Sequence, residues 1–401
     1  MTRSSYDLAI IGGGMGGAAL AQVMARAGHH VVVLEKETSF RDRVRGEGLH
    51  AWGVPEAKRL GVYEHLHEAG GIEVRWWDIR LGHEPLVRRD FPATTPHGSP
   101  LVSFFHPRMQ EALLEGAREA GAEVRRDAAV RELRAGQRPS LTVEEGGWMS
   151  EVQARLVVAA DGRNSPTRRW AGFAVCRDDD ERIFTGVLLD NVPQAEDAWF
   201  ATLNPDNGQE AVLCSLGGGR VRAYLGHPRS AGHKFAKAQD LPAFVAESVR
   251  TGVPAALYEK ARIAGPMASF ASADAWVEHP YRAGVALLGD AASTCDPSFG
   301  QGMAMTLRGA RVLGELLCAS DDWDAAGHTY AREQHAAFET VHTLENWYRA
   351  LFLEQGAEAD ERRVRALPMI AEDFSRIPDL FGLGPDAPTD PLARSRFFGE
   401  A

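Results

Sequence analysis

Three stretches of the chain combine glycine with charge in spacings that do chemistry. The first is Gly12-x-Gly14-x-x-Gly17, with Gly16 inside it. Glycines at this spacing stand where a chain turns tightly, where backbone must approach a pyrophosphate and where a helix packs closely on a strand. A helix opening at such a turn aims free N–H groups and its positive dipole end at an anion. Glu35, with Lys36 beside it, closes the next apolar run and is placed to accept hydrogen bonds from an adenosine ribose. These features predict an adenine dinucleotide without separating NAD from FAD.

The second stretch separates them. Residues 287–310, LLGDAASTCDPSFGQGMAMTLRGA, put Asp290 just after a buried strand, then Pro297, then Gly300 and Gly302 opening a helix. Such an Asp binds a ribityl hydroxyl. Glycines there let the N–H groups of Gly302 and Met303 approach a flavin's pyrimidine edge, where a helix N-terminus stabilises negative charge on the reduced ring. NAD needs none of this, so the dinucleotide is expected to be FAD. The third stretch, Arg41 to Gly53, is rich in glycine and arginine and is expected to be an ordered loop beside something anionic.

Certain elements must position these groups. Asp7 to Ile11 reads as a buried parallel strand, a helix follows over about 16–27, Gly28 stops it, and His30 to Leu34 is the second strand of a βαβ unit. A helix is expected around Pro55 to Leu60, and a longer one from Pro107 to Ala120, with Pro107 in its first turn and Gly121 as its stop. Arg155 to Ala160 is another buried strand. From about Ala174 to Phe270 the pattern changes to alternating strands, and long helical patterns occupy about Gln301 to Cys318 and Ala325 to Leu353. The predicted fold class is α/β: a discontinuous Rossmann-like FAD-binding domain (1–75, 105–172, 275–345), an inserted sheet-rich substrate domain (76–104, 173–274) and C-terminal helices (346–401). Beyond Pro368, the abundance of Pro, Gly and Asp predicts a tail with little regular structure.

Bulk properties narrow the class. A chain of 401 residues, 44% hydrophobic, buries a sizeable core. A net charge of -11, spread along the length, argues against nucleic-acid or anionic-membrane surfaces. Apolar runs stay well short of the roughly 20 residues of a membrane span. Met1 to Tyr6 carry no charged-then-apolar leader, and Cys176, Cys214, Cys295 and Cys318 are scattered without a metal-like cluster, so a reducing, cytoplasmic location with packing cysteines is expected. The run Asp178-Asp179-Asp180-Glu181 reads as a solvated turn, and no metal is predicted.

With these motifs in place, the chain resembles the FAD-dependent monooxygenases of the para-hydroxybenzoate hydroxylase type, over residues 6 to about 320. The family's Asp-Gly motif is similar to Ala160-Asp161-Gly162-Arg163-Asn164-Ser165-Pro166-Thr167-Arg168, which implies that Asp161 and Arg168 bridge FAD and nicotinamide regions. Its arginine loop is similar to Arg43-Val44-Arg45-Gly46, which implies contact of Arg45, with or without Arg43, near the pyrophosphate. Its GD motif matches Gly289-Asp290. Where the family carries an arginine or glutamine that reaches the phosphates, His106 and Arg108 are the alternatives here. Ser293 and Ala304 replace a frequent histidine and asparagine. The resemblance implies that NAD(P)H reduces FAD, that O2 adds at flavin C4a, and that the resulting hydroperoxyflavin hydroxylates an aromatic or polycyclic small molecule of secondary metabolism or aromatic degradation. A homodimer is left open.

Catalytic groups are few in such chemistry, because the protein only places substrate, excludes water and removes a phenolic proton. Pro297, beside the expected C4a position, is the candidate wall residue; His50 and Tyr224 are candidates to face substrate, with His227 beside Tyr224. Trp76-Trp77 reads first as packing between domains. The alternatives are a flavin-dependent halogenase, although Ala275-Trp276-Val277 is a poor match to the tryptophan-halogenase signature, an isoprenoid-type reductase, and a non-catalytic FAD-binding module.

Overall fold

A computed structural model describes residues 3–401 except Asp180 and Lys234. Asp180 of the acidic run, and Met1 and Thr2 of the segment expected to carry no leader, lie outside the described residues. The architecture is mixed α/β around two large sheets.

The first sheet has the strand order Tyr281–Arg282, Val285–Leu287, Trp148–Ala159, Arg3–Ile11, Val31–Glu35, Glu123–Arg126. Four pairings in it are parallel: Arg3–Ile11 lies between Val31–Glu35 and Trp148–Ala159, with Glu123–Arg126 and Val285–Leu287 outside them. Val31 to Glu35 is buried at every position, as expected for a parallel strand covered on both faces. One face is covered by the helices Met15–Arg26, His106–Glu119 and Gly302–Ala319, whose apolar sides share one core with the helix Trp323–Phe352. The antiparallel strands Ala128–Arg134 and Ser140–Glu145 extend from the other end of Trp148–Ala159.

The second sheet has seven strands: Arg262–Ala271, Arg182–Asp190, Val221–Pro228, Gln209–Ser215, Ala198–Asn204, Trp76–Leu81 and Glu84–Asp90. Its alternation is clean. Val187, Leu213, Ala223 and Leu225 pack against Phe244 of the helix Leu241–Thr251, whereas Phe184, Cys214, Tyr224, Trp199 and Trp77 form the opposite face. That opposite face looks toward the glycine turns of the first sheet.

The tail is more regular than its composition predicts. Pro368 lies inside the helix Ala357–Glu372, and the short helices Leu380–Leu383 and Pro391–Phe397 follow. Asp379 and Asp390 cap these two with their side chains, and Pro391 sits in the first turn. Phe397 is fully buried and stacks on Tyr348 at 5.6 Å, so the aromatic content of the segment outweighs its helix breakers. Among the described residues no helix is long and apolar enough to cross a membrane.

Candidate active site

The turn after the strand Arg3–Ile11 depends on missing side chains. Gly12 has φ +100°, and a Cβ there would sit 2.5 Å from the Ala160 carbonyl oxygen; a Cβ on Gly17 would sit 2.1 Å from the Gly12 carbonyl oxygen. Gly14 differs: its Cβ would meet only Gln110 Nε2, at 3.6 Å. The space beside Gly14 is therefore open, and the helix Met15–Arg26 starts there with no side-chain cap on its N–H groups. Glu35 is buried; its carboxylate accepts from Gly13 N at 2.8 Å and Glu37 N at 2.8 Å, which pins the turn to the end of the second strand.

From this turn a cavity of about 520 Å³ runs between the two sheets, within the size range of small-molecule sites. At the near end it is lined by Gly14, Gly16, Arg43, Arg45, His106 and Gln110, and in the middle by Gly289, Asp290, Pro297, Gly300, Gly302 and Met303. At the far end Trp77, Phe184, Trp199, Tyr224 and Phe270 surround it with aromatic rings, with Cys214 and Cys295 also in the wall. The helix Gly302–Ala319 opens into the cavity without a side-chain cap. A Cβ on Gly302 would have only Asp290 Oδ1 within reach, at 4.0 Å.

The arginine loop is anchored from the second sheet. Arg222, fully buried, donates to Asp42 at 2.8 Å and to Glu47 at 2.7 Å, and Glu47 also accepts from His106 N at 2.9 Å. Burial pushes the Glu47 carboxyl up to about 7, against the pull of Arg222. The Tyr224 hydroxyl donates to the Arg45 carbonyl, so its ring faces the cavity while its hydroxyl is committed to the loop. Val44, a buried β-branched residue, sits at φ +53°, a strained conformation that this network holds. Arg43 and Arg45 thereby present exposed cationic side chains along the cavity.

His50 is not the solvated loop histidine that is the commoner case. It is 3% exposed, lies among Trp77, Trp199 and Phe381 at ring separations of 5.6, 5.8 and 5.1 Å, and its Nδ1 has no hydrogen-bond partner. Burial pushes its pKa down to about 3, so the ring is neutral at ordinary pH. Its Nε2 lies 2.7 Å from where a Cβ on Gly300 would stand, which fixes glycine at that position, φ +67°. His106 is likewise held down, to about 4, by burial, and its Nδ1 lies 2.9 Å from the Gly46 carbonyl.

Several expected contacts are placed differently. Arg108 is exposed and points toward Gly70, whereas Gln110, one turn beyond His106 on the same helix face, reaches the cavity. Arg168 is buried and donates to the carbonyls of Ala291 at 2.7 Å, Arg163 at 3.1 Å and Asp290; it shapes the Asp290 loop rather than lining the cavity. Asp161 accepts from Thr167 Oγ1 at 2.7 Å and leaves Oδ1 unpartnered, while its neighbours Ala160 and Gly162 form cavity wall. Lys36 is exposed. His227 lies on the far face of the second sheet beside His233 and Phe235, because an odd offset from Tyr224 reverses its side. Trp77 is cavity wall, while Trp76 faces outward under Arg75 and Arg88. Cys318 is exposed rather than packed. Ser293 and Ala304 are buried behind the wall.

The arrangement fits FAD on three counts: an open cradle at Gly14 under an uncapped helix, a second uncapped helix beside Asp290, and arginines along the near wall between them. Comparison with known proteins agrees. Residues 5–343 match the family model for the FAD binding domain. The chain is 28% identical to a rifampicin monooxygenase of Streptomyces venezuelae, over 90% of this chain and 75% of that protein. It is 26% identical to a menaquinone reductase of Mycobacterium tuberculosis, over 79% of this chain and 78% of that protein. Its fold matches a p-nitrophenol 4-monooxygenase from Pseudomonas putida across 100% of both chains, with TM-score 0.79 at 17% identity.

Proposed function

The chain belongs to the FAD binding domain family of flavoprotein oxidoreductases, and from that premise we propose that it is an NAD(P)H-dependent monooxygenase that hydroxylates a flat, aromatic or polycyclic small molecule. The observation that carries this reading is the position of the aromatic end of the cavity, directly beyond Pro297 and Gly300 and walled by Trp77, Trp199, Phe184 and Phe270. The similarity to the rifampicin monooxygenase supports it.

In this reading the near end holds the adenosine diphosphate half. Gly14 and the helix start beyond it take the pyrophosphate, Arg43 and Arg45 balance its charge, His106 and Gln110 bound it, and Glu35 orders the turn at the ribose side. Asp290 and the N–H groups of Gly302 and Met303 take the ribityl and pyrimidine side. When bound, FAD reduced by NAD(P)H would supply the electrons that activate O2, one atom of which would go to the acceptor and the other to water.

The protein's own part is placement. Apolar rings strip water from the acceptor and hold it face-on. Pro297 forms part of the wall beside the place where cofactor and acceptor would meet. His50, neutral and with Nδ1 unpartnered, offers a hydrogen bond to a polar group of the acceptor without adding charge. Tyr224 acts as a positioning residue through the Arg45 carbonyl. The test is substrate-dependent NAD(P)H oxidation under labelled O2: the product is expected to carry one labelled oxygen atom, and label arriving from water overturns the proposal. The similarity to menaquinone reductase favours a second reading, a reductase that needs no O2, which turnover without O2 would reveal.

A further inference from the structure

Behind the loop that carries Pro297 lies a polar cluster that the proposed hydroxylation does not use. Three short antiparallel strands, Cys176–Arg177, Ala275–Trp276 and Ser293–Thr294, bring Asp178, Asp274 and Asp296 to neighbouring ends. His342, Glu345 and Arg349, spaced along the helix Trp323–Phe352, carry the facing groups. His342 Nε2 lies 2.8 Å from Asp178 Oδ2 and 3.7 Å from Asp274 Oδ2. One ligand atom from each of the three falls within 4.8 Å of the others.

The charges there do not balance. Asp274 and Glu345 are each 0% exposed, and neither oxygen of either carboxylate has a hydrogen-bond partner. The nearby guanidinium, Arg349, donates to Asp296 at 2.8 Å. An ionised carboxylate buried in this way costs several kcal/mol. Protonating one of these carboxylates removes its charge but leaves the remaining carboxylates of the cluster facing one another across a buried space. A cation among the three ligands gives the Asp274 carboxylate a partner and offsets the cluster's negative charge.

We propose that Asp178, Asp274 and His342 bind one divalent transition-metal ion, with Glu345 balancing its charge from behind. Two carboxylate oxygens and one imidazole nitrogen suit Mn²⁺, Fe²⁺ or Zn²⁺; Ca²⁺ takes more oxygens than this set provides. The rings of Trp276 and Phe338, 5.1 and 5.3 Å from that of His342, fix the orientation of the imidazole. Asp178 and His342 are partly exposed, at 27% and 20%, which leaves an entry path and room for water ligands. The ion would staple the short strands to the long helix beneath the Cys295–Gln301 wall, and the proposal does not rest on the hydroxylation reading.

The test uses FAD-loaded protein stripped with chelator. Titration with Mn²⁺, followed by the electron paramagnetic resonance of the free ion, is expected to show one ion bound per chain and a melting temperature that rises with occupancy. Asp274→Asn and His342→Gln are each expected to weaken binding at least about tenfold and to abolish the shift. Should Asp274→Asn fail to fold, His342→Gln, on the exposed rim, decides alone. Wild-type protein that binds no Mn²⁺ and melts unchanged, or variants that bind as tightly as wild type, overturn the proposal.

Discussion

A histidine held neutral inside a ring of aromatics makes acid a specific enemy of this fold. His50 has an ordinary value near 6.5 when unfolded and about 3 when folded, so the unfolded chain takes up the proton first. The stability that His50 contributes is therefore fully present above pH 6.5 and is lost as pH falls from there toward 3. His106 acts in the same direction, down to about 4. His50→Phe is expected to flatten the loss of urea resistance between pH 6.5 and 4; an unchanged slope would show that His50 is not the group responsible. Arg222 makes the converse case. Its removal by Arg222→Met leaves Asp42 and Glu47 without their shared cation, and a cost of about 3–5 kcal/mol is expected from breaking such a buried pair. Adding Glu47→Gln should recover part of that loss, as read by denaturant midpoints.

At the scale of elements, the glycine turn separates folding from binding. Gly17→Ala drives a Cβ into the Gly12 carbonyl and should destabilise the protein itself, whereas Gly14→Ala has 3.6 Å of clearance and fills only the cradle. Gly14→Ala is therefore expected to keep the wild-type melting temperature of the FAD-free protein and to lose at least about tenfold in FAD affinity, measured by flavin fluorescence, because displacing backbone from a charge-assisted contact costs about 1.5–3 kcal/mol. These parts were legible in sequence because each motif is contiguous: strand, turn, helix and acid follow one another within one unit. Gln110 was missed although His106 pointed to it, since the fourth residue onward shares a helix face and Arg108 does not. Which face of the second sheet looks inward was not legible, because alternation separates Tyr224 from His227 without saying where the other sheet lies. The packing of the Trp199 ring on Gly48, where a Cβ would lie 1.9 Å from the ring, was invisible for a related reason: only packing distant in sequence requires it. The tail helices did leave a signal in Asp379 and in Asp390-Pro391, a cap and a first-turn proline, that composition obscured.

At the scale of the whole molecule, the cavity is a seam between two sheets, and the segment around Phe381 packs behind two of its wall residues, His50 and Trp77. Arg89 of the second sheet holds that segment by two 2.6 Å bonds to Asp379, and Phe381 lies against His50, Trp77 and Tyr348. Phe381→Ala is expected to cost about 1–3 kcal/mol and to make tryptophan fluorescence more accessible to iodide; unchanged quenching would show that Phe381 does not shield Trp77. The same long-range assembly bears on the order in which the molecule comes into being. Gly12 directly follows the strand Arg3–Ile11, whose neighbour Trp148–Ala159 leads into the Ala160 carbonyl against which the turn is fitted, and Val285–Leu287, just before Asp290, pairs beyond it. A sheet closed by such distant segments folds slowly, since large loops must close before any contact rewards them. On a ribosome the complete glycine motif emerges early yet waits for most of the chain before it has a shape. Flavin uptake is thus a late event in synthesis, and a nascent fragment ending before residue 148 should carry the whole motif and hold no flavin.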